Sequence, residues 1–106
     1  MAFTPLAHLA QLHDGYRASV RVGRHEVLLI QHAGRVHLLN ARCPHMGEPL
    51  LRGQLSADGV LRCPRHGFEF DITTGRALGE VACAPLGRFQ PVYRDGRIGV
   101  DDAGMS

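Results

Sequence analysis

Polar and apolar residues alternate strictly from Tyr16 to Val22. Tyr16, Ala18, Val20 and Val22 fall on one side, and Arg17, Ser19 and Arg21 on the other. A period of two marks a strand with one face on a core and one in water. Gly23-Arg24 turns the chain. His25 to Gln31 follows, and its unbroken run Val27-Leu28-Leu29-Ile30 predicts a more deeply buried strand. Ala33-Gly34 turns the chain into a third strand, Arg35 to Asn40. Three strands joined by tight turns predict a meander. Further along, Asp58-Gly59 is a strong turn signal and Val60-Leu61-Arg62 a short strand. Phe68 to Asp71 alternates as another strand, turned by Thr74-Gly75. Phe89 to Arg94, Asp95-Gly96 and Arg97 to Val100 read as a closing hairpin, and Pro91 places its first strand at a sheet edge. Residues 6–15 predict only a turn or a single helical turn, and the tail from Asp101 to Ser106 is expected to fray. No stretch sustains helical periodicity. The expected fold is all-β: a small antiparallel sandwich or barrel with its chemistry in loops at one end.

Two loops carry that chemistry. The third strand delivers the chain to Cys43-Pro44-His45-Met46-Gly47, and the short strand after Gly59 delivers it to Cys63-Pro64-Arg65-His66-Gly67. Each loop offers one thiolate and one imidazole. Seventeen residues lie between His45 and Cys63, enough for an excursion and a return. The order C-x-H then C-x-x-H suits a [2Fe–2S] cluster in which two Cys hold one iron and two His the other. Pro44 and Pro64 stiffen the backbone beside each Cys. Gly47 and Gly67 can take positive φ, and backbone N–H groups in such turns can point at sulfur. The short spacers put the imidazoles outermost. Zinc is the rival, since two Cys and two His also make a structural zinc site. Zinc ligands more often come as C-x-x-C or H-x-x-x-H pairs than as mixed pairs. A disulfide between Cys43 and Cys63 is a third reading. Cys83 stands alone, as a small buried thiol. His8, His13, His25, His32 and His37 have no Cys at ligand spacing.

Bulk properties narrow the class. The chain has 106 residues, suited to one domain over 1–106 with a modest core. Its basic residues are all Arg, and the formal charge of +2 is too small and too evenly spread to suggest nucleic acid. The longest apolar run is far too short to span a bilayer. The N-terminal residues show no secretory pattern, so a cytoplasmic protein without a disulfide framework is expected.

The paired boxes resemble those of the Rieske iron–sulfur proteins, C-x-H-x-G and C-x-x-H-G. The similarity extends to Leu50 and Gly53, to Asp58-Gly59-Val60, to Phe68 through Gly75, and to Pro91 through Ile98. Residues 3–101 look like a small soluble Rieske-type ferredoxin. The resemblance implies one [2Fe–2S] cluster, with Cys43 and Cys63 on an inner iron and His45 and His66 on an outer, partly exposed iron. Respiratory relatives carry an additional Cys in each loop, joined as a disulfide; the matching positions here are Glu48 and Arg65, which could pair across the gap or point into water. Those relatives also place Ser and Tyr hydroxyls near the cluster, where Phe68 and Phe70 stand here. Fewer hydrogen bonds to sulfur lower the potential, so a value toward the low end of the roughly −150 to +300 mV Rieske span is expected. Phe68 and Phe70 read as core rather than cofactor contacts. Arg42 and Arg65 flank ligand positions, where an acidic partner would suit them, or they are ordinary solvated arginines.

By the same resemblance the chain is an electron carrier and not an enzyme. It would pass electrons from a flavin-dependent reductase to a terminal oxygenase of the aromatic-ring-hydroxylating type. The alternatives are the Rieske-like small subunit of an assimilatory nitrite reductase, a zinc-stabilised binding module, and a redox or pH sensor.

Overall fold

The computed structural model describes residues 2–79 and 83–103. Among the described residues nine strands form three sheets of three. They are β1 (Phe3–His8), β2 (Arg17–Val22), β3 (His25–His32), β4 (Arg35–Asn40), β5 (Gln54–Leu55), β6 (Val60–Arg62), β7 (Glu69–Asp71), β8 (Val92–Arg94) and β9 (Arg97–Asp101). The one helical element among the described residues is a 3₁₀ turn, Leu9–Gln11, inside the stretch where a single turn is expected. The sheet orders are β1-β9-β8, β2-β3-β4 and β5-β6-β7, every pairing antiparallel.

The meander β2-β3-β4 is the central layer, and this accounts for the Val27–Ile30 run. Side chains of a strand alternate between faces. Val27 and Leu29 of β3 and Leu38 of β4 pack on one side with Leu6, Ile98 and Val100 of the terminal sheet. Leu28, Ile30 and Leu39 pack on the other with Leu61, Phe70, Ile72 and Leu86, and with Cys43 and Cys63. A strand buried on both faces has no polar side to show. Full burial of each such Leu or Ile is worth about 1.5–3 kcal/mol. Cys43 and Cys63 thus both pack on one face of a layer that is covered from behind.

Several expectations shift in detail. The chain before Tyr16 contributes β1, paired with β9 through a register irregularity between Pro5 and Ala7. The closing hairpin is real, but its first strand shortens to Val92–Arg94, an edge strand preceded by Pro91. Phe89 lies outside that strand; its N–H donates to the Leu38 carbonyl at 3.0 Å. Fraying does not begin at Asp101. That residue ends β9, and Asp102 donates to the Ala2 carbonyl at 2.8 Å and accepts from the Thr4 hydroxyl. Residues 104–106 of the expected frayed tail lie outside the described residues.

His37 sits in β4 with only 7% of its surface exposed, and its Nδ1 has no hydrogen-bond partner. Burial holds its imidazolium below the ordinary histidine value, and the Arg88, His32 and Arg35 charges add to this; a backbone hydrogen bond at Ile72 opposes them. The unfolded chain therefore binds this proton first. The contribution of His37 to stability is constant above the unfolded value of about 6.5 and falls as pH drops below it. Melting temperature is expected to fall between pH 7.5 and 5.5 more steeply in the wild type than in His37→Leu. Parallel curves would show that His37 does not contribute to the acid response.

Candidate metal centre

The two loops are built alike. In the first, the Cys43 N–H donates to the Glu48 carbonyl (2.8 Å), and the Cys43 carbonyl accepts from the Gly47 N–H (2.7 Å). In the second, the Cys63 N–H donates to Phe68 O (2.7 Å), and Cys63 O accepts from Gly67 N–H (3.0 Å). Gly47 and Gly67 have φ of 75° and 74°, the left-handed region where glycine carries no Cβ penalty. Arg42 bridges to Pro49 below the first loop, and Arg62 pairs with Glu69 below the second. Each box is thus a hairpin tip that throws its Cys inward.

Depth separates the ligand types. Cys43 and Cys63 are each 1% exposed, free of disulfide, and part of the core beside Leu50 and Phe70. His45 and His66 are exposed above them, their ring centroids 5.2 Å apart and their planes nearly perpendicular. Burial pushes the Cys43 thiol above its ordinary value and the nearby Cys63 adds to the effect, while backbone hydrogen bonds at His45 and Met46 pull it down. Those bonds set amide N–H groups at the sulfur, as the loop sequence suggests. A raised thiol keeps its proton near neutral pH, so loading with metal must release it.

The donors test well against a two-iron group. They form two pairs at two depths, sulfur below and nitrogen above. A single tetrahedral zinc wants four donors around one centre, whereas a [2Fe–2S] group with a Cys₂ iron and a His₂ iron wants two pairs.

Two side chains have a clearer place than the sequence suggests. Phe68 is not simply core: its ring stacks on His45 at 4.3 Å between centroids and 30° between planes, which fixes that imidazole's orientation. Phe70 is fully buried in the core, as expected. Arg42 is half exposed but tied down. Its Nε lies 2.8 Å from Glu26 Oε1, and its Nη1 donates to the Gly47 carbonyl at 2.9 Å, tying the first loop to β3. Only a contact between residues sixteen apart makes this visible. Glu26 is held below the usual carboxylate range, chiefly by that Arg42 bond. Glu48 and Arg65 do meet across the loops, Oε1 to Nη1 at 3.7 Å, but Arg65 is 67% exposed. Such a pair is worth about 0–1 kcal/mol, far less than the disulfide it stands in for. Cys83 is half-buried, not buried as expected, and packs at the rim of the same core.

Residues 2–90 match the family model of the Rieske [2Fe-2S] domain. The chain is 42% identical over 67 residues to the ferredoxin component of the alkene monooxygenase system of Xanthobacter autotrophicus, covering 63% of this chain and 55% of that one. It is 43% identical over 70 residues to Apoptosis-inducing factor 3 of Homo sapiens, covering 66% of this chain and 11% of that protein. In the structure of a complex of reduced oxygenase and oxidized ferredoxin in carbazole 1,9a-dioxygenase, one chain superposes with a TM-score of 0.81 at 25% identity. That match covers 94% of this chain and 93% of the other. No helix among the described residues is long and apolar enough to cross a membrane.

Proposed function

Because the chain belongs to the Rieske [2Fe-2S] domain family, we propose that it is a one-electron carrier whose cluster is held by Cys43 and Cys63 on one iron and by His45 and His66 on the other. The observation that carries this reading is the stacking of an exposed imidazole pair over a buried thiol pair, each pair drawn from both loops. When bound, the cluster takes up and gives back single electrons. The chain's own residues do the rest. The core around Leu50, Leu61 and Phe70 keeps water from the sulfur side. Phe68 orients His45, and the Arg42–Glu26 tether holds the first loop. The bare imidazole edges give a short path to whatever docks on the tip.

The donor would be a flavin-dependent reductase and the acceptor a terminal oxygenase. The alkene monooxygenase and carbazole dioxygenase relatives are ferredoxins of oxygenase systems, and one is seen in complex with its oxygenase. This favours a diffusing carrier over the nitrite reductase subunit. The whole 106-residue chain would act as one domain, in the cytoplasm.

The test is electron paramagnetic resonance on purified protein before and after dithionite, with metal analysis and potentiometry on the same sample. A silent oxidised state, a Rieske-type signal on reduction and about two irons per chain are expected. With aromatic rings at Phe68 and Phe70 in place of hydroxyl donors, the midpoint should fall in the lower half of the roughly −150 to +300 mV span. About one zinc and no reducible centre in fresh anaerobic protein would overturn the carrier reading.

A further inference from the structure

The arginines around the loops are not equivalent. Each box is preceded by one, Arg42 and Arg62, and each has a Glu nearby. Arg42 is held at two atoms, with its Nε on Glu26 and its Nη1 on Gly47 O. Arg62 is not. Its guanidinium lies over Gly67, where a Cβ would come within 2.8 Å of Nη2, and its contact with Glu69 is long, at 3.9 Å. Arg65 reaches Glu48 only at 3.7 Å. Arg52 has no ion pair among the described residues.

Arg52, Arg62 and Arg65 line one recess of about 500 Å³ with Gln54, Pro64 and His66. Three guanidiniums and an amide face a space that opens beside one of the two exposed imidazoles. Among the described residues the carboxylates paired with these arginines are Glu69 and Glu48, each in a long ion pair whose arginine is exposed. Such pairs are worth about 0–1 kcal/mol, so an incoming carboxylate displaces them at little cost. Next to the recess an apolar cleft runs along Pro49, Leu51 and Pro64. Met46, at the tip of the first loop, is 64% exposed. A basic pocket at the His66 edge beside an apolar patch is the complement of an acidic protein face with an apolar centre.

We propose that the Arg52–Arg62–Arg65 recess is the docking site for carboxylate side chains of the redox partner, and that the partner approaches from the second-loop side. Arg42 takes no part in docking; it holds the first loop. This rests on the carrier reading for the partner's nature, but not for the recess itself.

The experiment uses two probes on cluster-loaded protein. A fluorescently labelled hexaglutamate peptide reports binding by anisotropy. Hexacyanoferrate(III) takes one electron from the dithionite-reduced protein, becoming hexacyanoferrate(II), and its rate is read by stopped flow. Arg52→Gln/Arg62→Gln is compared with Arg35→Gln/Arg76→Gln, which removes the same charge at the start of β4 and in the turn after β7, outside the recess lining. At low salt the recess variant should lose about tenfold in peptide affinity and in oxidation rate, the control much less, and high salt should erase the difference. Equal losses in both variants would mean that only net charge matters, and no loss in either would mean that the recess does not attract anions; each overturns the proposal. Should Arg62→Gln lose iron, Arg52→Gln alone carries the comparison. A wild type without a reducible centre defeats the carrier reading, while peptide anisotropy still tests the recess.

Discussion

Cys63→Ser is expected to give a folded but nearly iron-free protein with no signal on reduction. Cys63 is 1% exposed and sits among Leu61, Phe70 and Ile72, so its sulfur meets core on one side and the Cys43 sulfur on the other. A serine fills almost the same volume, and the core around it changes little. The chemistry changes completely. A thiol has an ordinary value of about 8.5 and loses its proton to a metal, whereas an alcohol holds its proton far more tightly. One of the two sulfur ligands to the inner iron would then be gone. Loss of an outer-shell partner alone costs a metal site about 10–100-fold, so loss of a ligand should cost more. Cys83→Ser is the control. It is half-buried at the rim of the same core and lies outside the two Cys–His boxes, and should keep its full iron content. If Cys63→Ser retained iron and a reduced signal like the wild type, the ligand assignment would be wrong.

The second large effect concerns the fold that carries the loops. Gly75 turns the chain after β7 with φ of 80°, and a Cβ there would run into the Leu86 carbonyl oxygen. Its own carbonyl accepts the Leu86 N–H at 2.7 Å, which stitches the segment before β8 onto the site layer. Gly75→Ala therefore carries two penalties. The left-handed backbone costs a non-glycine residue about 1–2 kcal/mol, and forcing the Leu86 backbone away adds about 1–3 kcal/mol. At about 4–8 °C per kcal/mol, melting should drop by at least about 8 °C. Gly15→Ala separates the two terms. Its φ is 94°, but nothing lies within 4 Å of the added carbon, so only the backbone penalty remains. Equal melting temperatures for the two variants would refute the close contact at Leu86.

What could be read from the residues was whatever has a short period or a fixed spacing. The meander from Arg17 to Asn40 follows from alternation and two turn signals, and the loops follow from Cys and His at matched spacing. What could not be read depends on contacts far along the chain. Phe3–His8 holds Pro5 and little alternation, because β1 is an edge strand with an irregular register, and it exists by virtue of β9 some ninety residues later. Gln54–Leu55 is too short to show any period. The run Val27–Ile30 announces burial, but only the packing shows that two separate sheets cover it. In the site, the ligands were legible while their supports were not. Arg42 reads as a solvated or docking arginine until Glu26 and Gly47 are found beside it. Phe68 reads as core until its ring is seen against His45.

The pairing of β1 with β9 has a consequence for evolution and engineering. Ala2 and Asp102 are hydrogen-bonded neighbours, and their sheet lies on the opposite face of the central meander from Cys43 and Cys63. The backbone therefore arrives and departs at one spot, behind the redox tip. A unit wired this way can be spliced into a surface turn of an unrelated host through two short linkers. No strand order would change and the imidazoles would still face outward, so this segment can serve as a portable electron-transfer cassette.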